Sequence, residues 1–307
     1  MRVTIVGSGF VGQTAAMRVV QRGLAEVVLI DIVEGLPQGI ALDVKESSPV
    51  ERFEPRITGT NDYADTAGSD VVVVTAGFPR QPGMSRMDLL AKNATIVRDV
   101  VSKAAERSPG AILIMVTNPL DEMTFLASDV SGFPKERVMG MAGVLDSARL
   151  RSFIAEELGV SPLGVEAMTL GSHGEAMVPL PRHATVDGRP LVELVDDATL
   201  ERLYQRTRDG GAEIVALLKK GSAYYAPSAS IAQMVAAISG EVEDVLPVCA
   251  WCTGQYGISD VYVGVPARLG SRGVEEIVEM DLNDDELAAL RGAAEGIRAK
   301  CEDLAKL

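Results

Sequence analysis

The sequence predicts an α/β fold in which a doubly wound parallel sheet is followed by a C-terminal α+β domain. Three observations carry this. Short β-branched runs alternate with helical stretches through the first half. The first of these runs leads straight into glycines at G-x-G-x-x-G spacing. The second half loses the alternation and carries a hairpin dipeptide, Asp187-Gly188, among longer helical stretches.

The opening element is the most informative. Val3 to Val6 is a short run suited to a buried strand, and Gly7, Gly9 and Gly12 follow it. Val11 to Gln21 reads as a helix, with Gly23 placed as its stop. Gly7 permits a tight turn, Gly9 lets backbone approach a pyrophosphate, and Gly12 lets helix and strand pack closely. The unbonded N–H groups and positive dipole end of the helix then face the anion. A second strand, Glu26 to Asp31, ends in a carboxylate at close to the spacing of about 20 residues expected for the acid that grips the adenine ribose. Asp31 would repel a 2′-phosphate, and no Lys or Arg follows before Lys45, so NAD is expected over NADP. The expected cofactor contacts here are Gly7, Ser8, Gly9, Phe10, Val11, Gly12 and Asp31.

Further strands are expected at Asp70 to Gly77, Ile112 to Thr117 and Val138 to Met141, with helices at Leu36 to Lys45 and Leu89 to Arg107. Continuous β-branched strands separated by helices imply a parallel sheet covered on both faces, a Rossmann domain over residues 1–143. The remainder, 144–307, is expected to form the catalytic and substrate domain. It should contain a helix at Ser147 to Leu158, a strand at Val165 to Leu170 and a β-hairpin over Val178 to Leu191. Helices follow at Leu200 to Lys219 and Ser228 to Ile238, then strands at Val245 to Cys252, Val261 to Val265 and Val274 to Met280. The last helix opens on Asn283 with Glu286 three residues later, a capping-box pair. Its apolar positions, from Leu287 to Leu304, step by three and four and read as core or subunit packing.

Composition excludes several classes of function. The 307 residues are 47% hydrophobic and 23% charged, with a net charge of −14. Such a surface repels nucleic acid and anionic membranes, and an anionic substrate would need a local cluster of arginines. No apolar run reaches membrane length and no cationic leader precedes the first strand, so a cytoplasmic location is expected. Cys249 and Cys252 form a C-x-x-C, but on a strand they point to opposite faces, and no second pair completes a metal site. No metal is expected.

The chain has two histidines. His173, in Gly171-Ser-His-Gly174, lies between small residues at a strand's end, well placed for proton transfer. His183 lies in the expected hairpin beside Arg182. Arg80 and Arg86 fall on a Pro/Gly loop after a parallel strand, where such folds bind ligands and where a lid could close. Asp146 and Arg149 share one helix face, as a functional pair or as an ordinary intrahelical ion pair. Asn118 ends another parallel strand.

Taken together, these motifs resemble the malate/lactate dehydrogenase family, and within it the lactate-dehydrogenase-like bacterial malate dehydrogenases. The match runs from end to end through Val6-Gly-Ser-Gly-Phe-Val-Gly12, Asp31, Gly35-Leu-Pro-Gln-Gly-Ile-Ala-Leu-Asp43, Thr75 to Arg86, Val116-Thr-Asn-Pro-Leu-Asp121, Leu145-Asp-Ser-Ala-Arg149 and Gly171-Ser-His-Gly174.

The resemblance implies NAD-dependent interconversion of L-malate and oxaloacetate. It implies that His173 is the acid/base and that Asp146 orients its imidazole. Arg149 would clamp the C1 carboxylate in bidentate fashion. Arg86 would polarise the reacting carbonyl. Asn118 would bond the substrate oxygen and, with Val116, border the nicotinamide ribose, while Asn93 would be a further cofactor contact. Arg80 would pair with the second carboxylate of the dicarboxylate, where lactate-type members carry a neutral residue. A small substrate wall at Ser222 and Ala223, where lactate enzymes tend to have a threonine, agrees with this. The alternative is an L-lactate or broad-range 2-hydroxy-acid dehydrogenase. An NAD-dependent glycoside hydrolase would be longer and carry a Cys/His metal pattern, and a catalytically dead NAD sensor would have lost one of these side chains. Family members are homodimers or homotetramers.

Overall fold

The computed structural model describes residues 1–78, 85–174 and 176–304, with Arg86 described by its backbone alone. β1 (Arg2–Val6) turns through Gly7 into α1 (Phe10–Gln21), and β2 (Glu26–Ile30) lies parallel to β1 with Val3 opposite Val27. The turn is as tight as the spacing predicts. Gly7 has a φ of 101°, and a Cβ on Gly12 would sit 1.8 Å from the Gly7 carbonyl oxygen.

α2 (Leu36–Glu51) runs well past the expected end at Lys45. Ser47, Ser48 and Pro49 look like a loop, but the Ser47 hydroxyl donates back to the Val44 carbonyl, and Pro49 falls in the last turn. The helix ends at Arg52, in the left-handed region. β3 (Ile57–Thr60) was not foreseen from its four residues, of which only Ile57 and Thr60 are buried. Gly59 within it is required by the close passage of α2, since a Cβ there would meet the Pro37 carbonyl oxygen at 2.0 Å.

β4 (Val71–Val74) follows, then α3 (Arg86–Arg107), which starts earlier than its apolar stripe because Ser85 and Asp88 form a capping box. β5 (Ile112–Met115), α4 (Leu120–Ser131) and β6 (Val138–Gly140) complete the parallel half, in the order β3-β2-β1-β4-β5-β6. Alternate residues of each strand enter different cores. Val71 and Val73 join one apolar cluster and Val72 and Val74 the other, so both faces are covered.

The second half comprises α5 (Gly143–Leu158), β7 (Val165–Glu166), β8 (Thr169–Gly171), β9 (Met177–Pro179), β10 (Thr185–Val186), β11 (Arg189–Pro190), α6 (Asp197–Leu218), α7 (Tyr225–Ile238), β12 (Val245–Thr253), β13 (Ser259–Gly270), β14 (Gly273–Ile277) and α8 (Asp284–Leu304). The sheet does not stop between the halves. β12 pairs with β6 where Cys249 faces Gly140, and β13, β8 and β9 continue the order, giving an 11-stranded sheet among the described residues.

Two expectations need correction. The strand expected over Val165 to Leu170 is two strands in two sheets, with β7 pairing β10 and β8 pairing β13. The hairpin around Asp187 and Gly188, at φ 48° and 78°, spans only Thr185–Pro190. Pro179 and Pro181 lack the N–H a longer ladder needs, and β9 pairs with β8 instead. The last helix is as expected. The Asn283 side chain accepts from Glu286 N at 2.8 Å, and Asn283 N donates to the Glu286 carboxylate at 2.9 Å. Cys249 and Cys252 are free, buried and in different clusters, on opposite faces of β12. No helix among the described residues is long and apolar enough to cross a membrane.

Gly12→Ala should drive a methyl into the Gly7 carbonyl. Overpacking of this kind costs about 1–3 kcal/mol. A lower urea midpoint together with weakened dinucleotide binding is expected.

Candidate active site

The carboxyl ends of β1, β2, β4 and β5 form the cofactor end of the cleft. Asp31 ends β2, and its Oδ2 accepts from Ser8 N at 2.6 Å while Oδ1 accepts from Val33 N at 2.9 Å. The carboxylate therefore fixes the glycine loop as well as standing where a ribose would bind. Ser8 has its N–H engaged by Asp31. Its hydroxyl oxygen is buried and has no partner among the described residues. α1 begins at Gly9 without a side-chain cap, and a Cβ built on Gly9 would meet nothing within 4 Å. An open cradle, an uncapped helix start and an unpartnered hydroxyl fit a dinucleotide pyrophosphate. Phe10 is 63% exposed and stacks on Tyr224 at 5.2 Å, and Val11 is half-buried against the core.

Asn93 joins the two loops at this end of the cleft. It is 1% exposed, and its amide is fully engaged by backbone. Its Oδ1 accepts from Phe78 N at 2.6 Å, and its Nδ2 donates to Phe78 O at 3.2 Å and Asn118 O at 2.6 Å. Asn93 thus ties the loop after β4 to the loop after β5. Thr117 adds a second tie, donating to Ala76 O at 2.6 Å. Asn118 itself is exposed at the cleft, beside half-buried Val116.

The chemical centre is built from α5 and the turn after β8. Asp146 lies in the first turn of α5, where the helix dipole favours a carboxylate. It is buried, and each of its oxygens has a partner. Oδ2 lies 2.8 Å from His173 Nδ1, and Oδ1 accepts from Arg149 Nη1 at 3.3 Å. The two sequence readings of Asp146 and Arg149 therefore meet, since the ion pair exists and it extends to His173. Ser147, next on α5, accepts from Thr169 N of β8 at 2.9 Å, which holds the helix to the strand that delivers the histidine. Burial alone would push the His173 imidazole down. The charge and hydrogen bond of Asp146, helped by the Asp121 charge, outweigh both burial and Arg149 and raise it above the ordinary histidine range. Burial pulls the Arg149 guanidinium down, with Asp146 opposing.

Arg149 explains a feature that sequence reading passed over. Its side chain lies along Gly210 and Gly211 in the middle of α6, where added Cβ atoms would sit 3.2 Å from Arg149 Cδ and 3.6 Å from Nη2. Each mid-helix glycine costs about 1 kcal/mol relative to alanine, so an adjacent pair in an otherwise good helix was the available signal. His183 is not in the site. Its Nε2 bonds the Asp281 carbonyl oxygen at 2.8 Å. Arg80 and the side chain of Arg86 lie outside the described residues. Among the described residues, no group of three or more His, Cys, Asp or Glu is placed to hold a metal ion.

A dinucleotide cradle beside a carboxylate-bound histidine and a desolvated arginine defines a class, a cofactor-dependent oxidoreductase of small anionic substrates. Comparison with known proteins narrows it. Residues 1–140 match the lactate/malate dehydrogenase NAD-binding domain, and residues 143–307 match the lactate/malate dehydrogenase α/β C-terminal domain. The malate dehydrogenase of Roseiflexus sp. (strain RS-1) is 55% identical over 296 residues, 96% of each chain. The solved malate dehydrogenase of Salinibacter ruber is 50% identical, with a TM-score of 0.95 over 100% of this chain and 98% of that one. The lactate dehydrogenase of Cryptosporidium parvum, solved with lactic acid and β-nicotinamide adenine dinucleotide, is 39% identical, with a TM-score of 0.95 over 100% and 98% of the two chains. The chain belongs to the lactate/malate dehydrogenase family.

Gly210→Ala should crowd Arg149 while improving helix propensity. The expected result is an unchanged or higher melting temperature with a several-fold higher KM for the 2-oxo acid, read by steady-state kinetics and calorimetry on one preparation.

Proposed function

We propose that the chain is an NAD-dependent malate dehydrogenase that interconverts L-malate and oxaloacetate. Residues 1–143 hold the cofactor and 144–307 supply the substrate chemistry. The observation that carries this reading is the chain of contacts from His173 through Asp146 to Arg149, which joins a proton donor to a carboxylate clamp through one buried acid.

In the direction of reduction, NADH when bound supplies the hydride. His173 enters protonated. Nδ1 is held by Asp146, so Nε2 is the atom left to give its proton to the substrate carbonyl oxygen as that oxygen gains charge. Asp146 stabilises the imidazolium and fixes the ring. Arg149 takes the C1 carboxylate with the fork of its guanidinium. Asn118 donates to the reacting oxygen, and the cradle from Gly7 to Gly12 with Asp31 binds the dinucleotide. Arg86 polarises the carbonyl, and Arg80 pairs with the distal carboxylate. The products are malate and oxidised cofactor. Oxidation reverses each step, with neutral His173 as the base.

A lactate or broad 2-hydroxy-acid dehydrogenase is the second reading, and the close fold of the Cryptosporidium lactate dehydrogenase shows that fold does not separate the two. Arg80 favours malate. With pyruvate bound it would be buried unpaired, which costs roughly 3–5 kcal/mol. The enzyme works in the cytoplasm as a homodimer or homotetramer, a state supported by exposed apolar side chains such as Leu42 and Val50 on α2.

The first test is kcat/KM with NADH for oxaloacetate and for pyruvate. A preference of about 10³ or more is expected, and Arg80→Gln should erode most of it. Comparable values in the parent enzyme would favour the broad reading.

His173 also sets a pH dependence. Its pKa in the fold lies above the ordinary value of about 6.5. Oxaloacetate reduction needs the protonated ring, so its kcat/KM should fall as pH rises through that pKa. Malate oxidation should rise over the same range. His173→Asn should abolish turnover in both directions while NADH binding, followed by fluorescence, is retained.

A further inference from the structure

One buried acid has no part in the mechanism above. Asp121, in the first turn of α4, is 2% exposed. Its Oδ2 accepts from the Ser172 hydroxyl at 2.8 Å and from His173 N at 3.2 Å. α4 follows directly on the loop that carries Asn118, so a single carboxylate spans from the cofactor-side strand ends to the turn that presents the proton donor. We propose that Asp121 is a positioning residue for proton transfer, fastening the His173 turn to the start of α4 beside Asn118 and keeping a second negative charge behind the imidazole.

The surroundings favour both halves of this role. The turn around His173 is bounded by Gly171 and Gly174 at φ 82° and 130°, and its backbone closes on itself through Ser172 N, which donates to Ala176 O at 3.3 Å. The two hydrogen bonds to Asp121 Oδ2 add the tie from this turn to a different element, α4. The charged groups that face His173 are Asp146 and Arg149 from α5 and Asp121 from α4. Asp146 outweighs Arg149, and the Asp121 charge adds a smaller contribution in the same direction, toward the imidazolium. Around Asp121 stand Ser172 and His173 on the turn, Cys249 on β12, Glu122 beside it on α4 and Cys301 on α8. Burial is the largest influence and raises the Asp121 carboxyl above the ordinary carboxylate range, against the donors from Ser172, Cys249 and the His173 N–H and the His173 charge, all of which favour ionisation. The Cys249 thiol is pushed well up by burial and by the Asp121 charge, so it stays a neutral neighbour.

This inference rests on His173 being the acid/base, and the experiment separates the two ideas. The kcat/KM for oxaloacetate is followed against pH for the parent enzyme and for His173→Asn, Asp121→Asn, Asp121→Ala and Ser172→Ala, with NADH affinity measured on each. If His173→Asn still turns over with the parental pH limb, the proton-transfer reading itself fails. If that variant is inactive, Asp121 is judged separately. Asp121→Asn keeps an acceptor oxygen but loses the charge, so the alkaline limb should move to lower pH by about 0.5–1 unit. Asp121→Ala should lose about tenfold or more in kcat with NADH affinity unchanged, and Ser172→Ala should lose less. An Asp121→Asn limb that coincides with the parent's, or an Asp121→Ala kcat within twofold of it, overturns the proposal. Should Asp121→Ala fail to fold, the Asp121→Asn limb and the Ser172→Ala kcat still decide the matter.

Discussion

The site depends on one carboxylate bonded on both sides. Asp146 gives one oxygen to His173 and the other to Arg149, and it is buried, so neither partner can be exchanged for water. A buried acid with a single partner would be costly, because its second oxygen would lie dehydrated and unbonded. With both oxygens engaged, the acid fixes the imidazole ring and the guanidinium fork relative to each other. In the proposed mechanism, proton transfer and carboxylate binding then share one reference point. Asp146 and Arg149 move together with α5, and the contact from Asp146 couples that helix to His173 on the turn after β8.

That reference point is held by the sheet. β6 and β12 join where Cys249 faces Gly140, and Gly140 has room for no side chain there, since a Cβ would lie 2.6 Å from Thr124 Oγ1 and 2.9 Å from Cys249 Cβ. The strands that end at the glycine cradle and the strands that lead to His173 are therefore parts of one hydrogen-bonded surface. Among the described residues, the loops that carry Asn118 and His173 and the start of α5 are tied back to this surface by polar bonds. Asn93 ties Phe78 to Asn118, Ser147 ties α5 to β8, and Asp121 ties α4 to the His173 turn. These ties are short and directional, which suits a site whose reacting atoms must be placed within a fraction of an ångström.

Much of this was legible in the chain because it rests on local rules. The strand, glycine turn and helix of residues 2–21 were readable from spacing, and the contact between Gly12 and the Gly7 carbonyl is the steric reason for that spacing. Asp146 and Arg149 could be paired because helical geometry places residues three apart on one face. Elements with weak local signals were lost. β3 is four residues with a glycine, and α4 starts behind a proline. The expected strand from Val165 was split because its two ends pair with different partners, which no local pattern records. The structural work of Asn93, which bonds Phe78 and Asn118, and of the Ser8 N–H, which bonds Asp31, had no local signal, because their partners lie 15 to 25 residues away in sequence. Gly210 and Gly211 stand in the same position, since their purpose becomes visible only with Arg149 lying along them.

The net charge of −14 poses a problem that the site answers locally. A dicarboxylate approaches a surface that repels it, so the attraction must be strong at short range, where screening and solvent are least effective. Within the trio of His173, Asp146 and Arg149, protonation of the histidine changes the sum from neutral to one positive charge. Under the proposed mechanism, an anionic 2-oxo acid is therefore drawn most strongly to the form that carries the proton it would receive. By linkage, the bound carboxylate in turn makes the imidazole hold that proton more firmly until the developing alkoxide takes it. Once transfer is complete, the trio is neutral and the hydroxy acid is held by one charge fewer. In the proposed reaction the same buried aspartate thus makes binding stronger before reduction and weaker after it, and in oxidation the order is reversed.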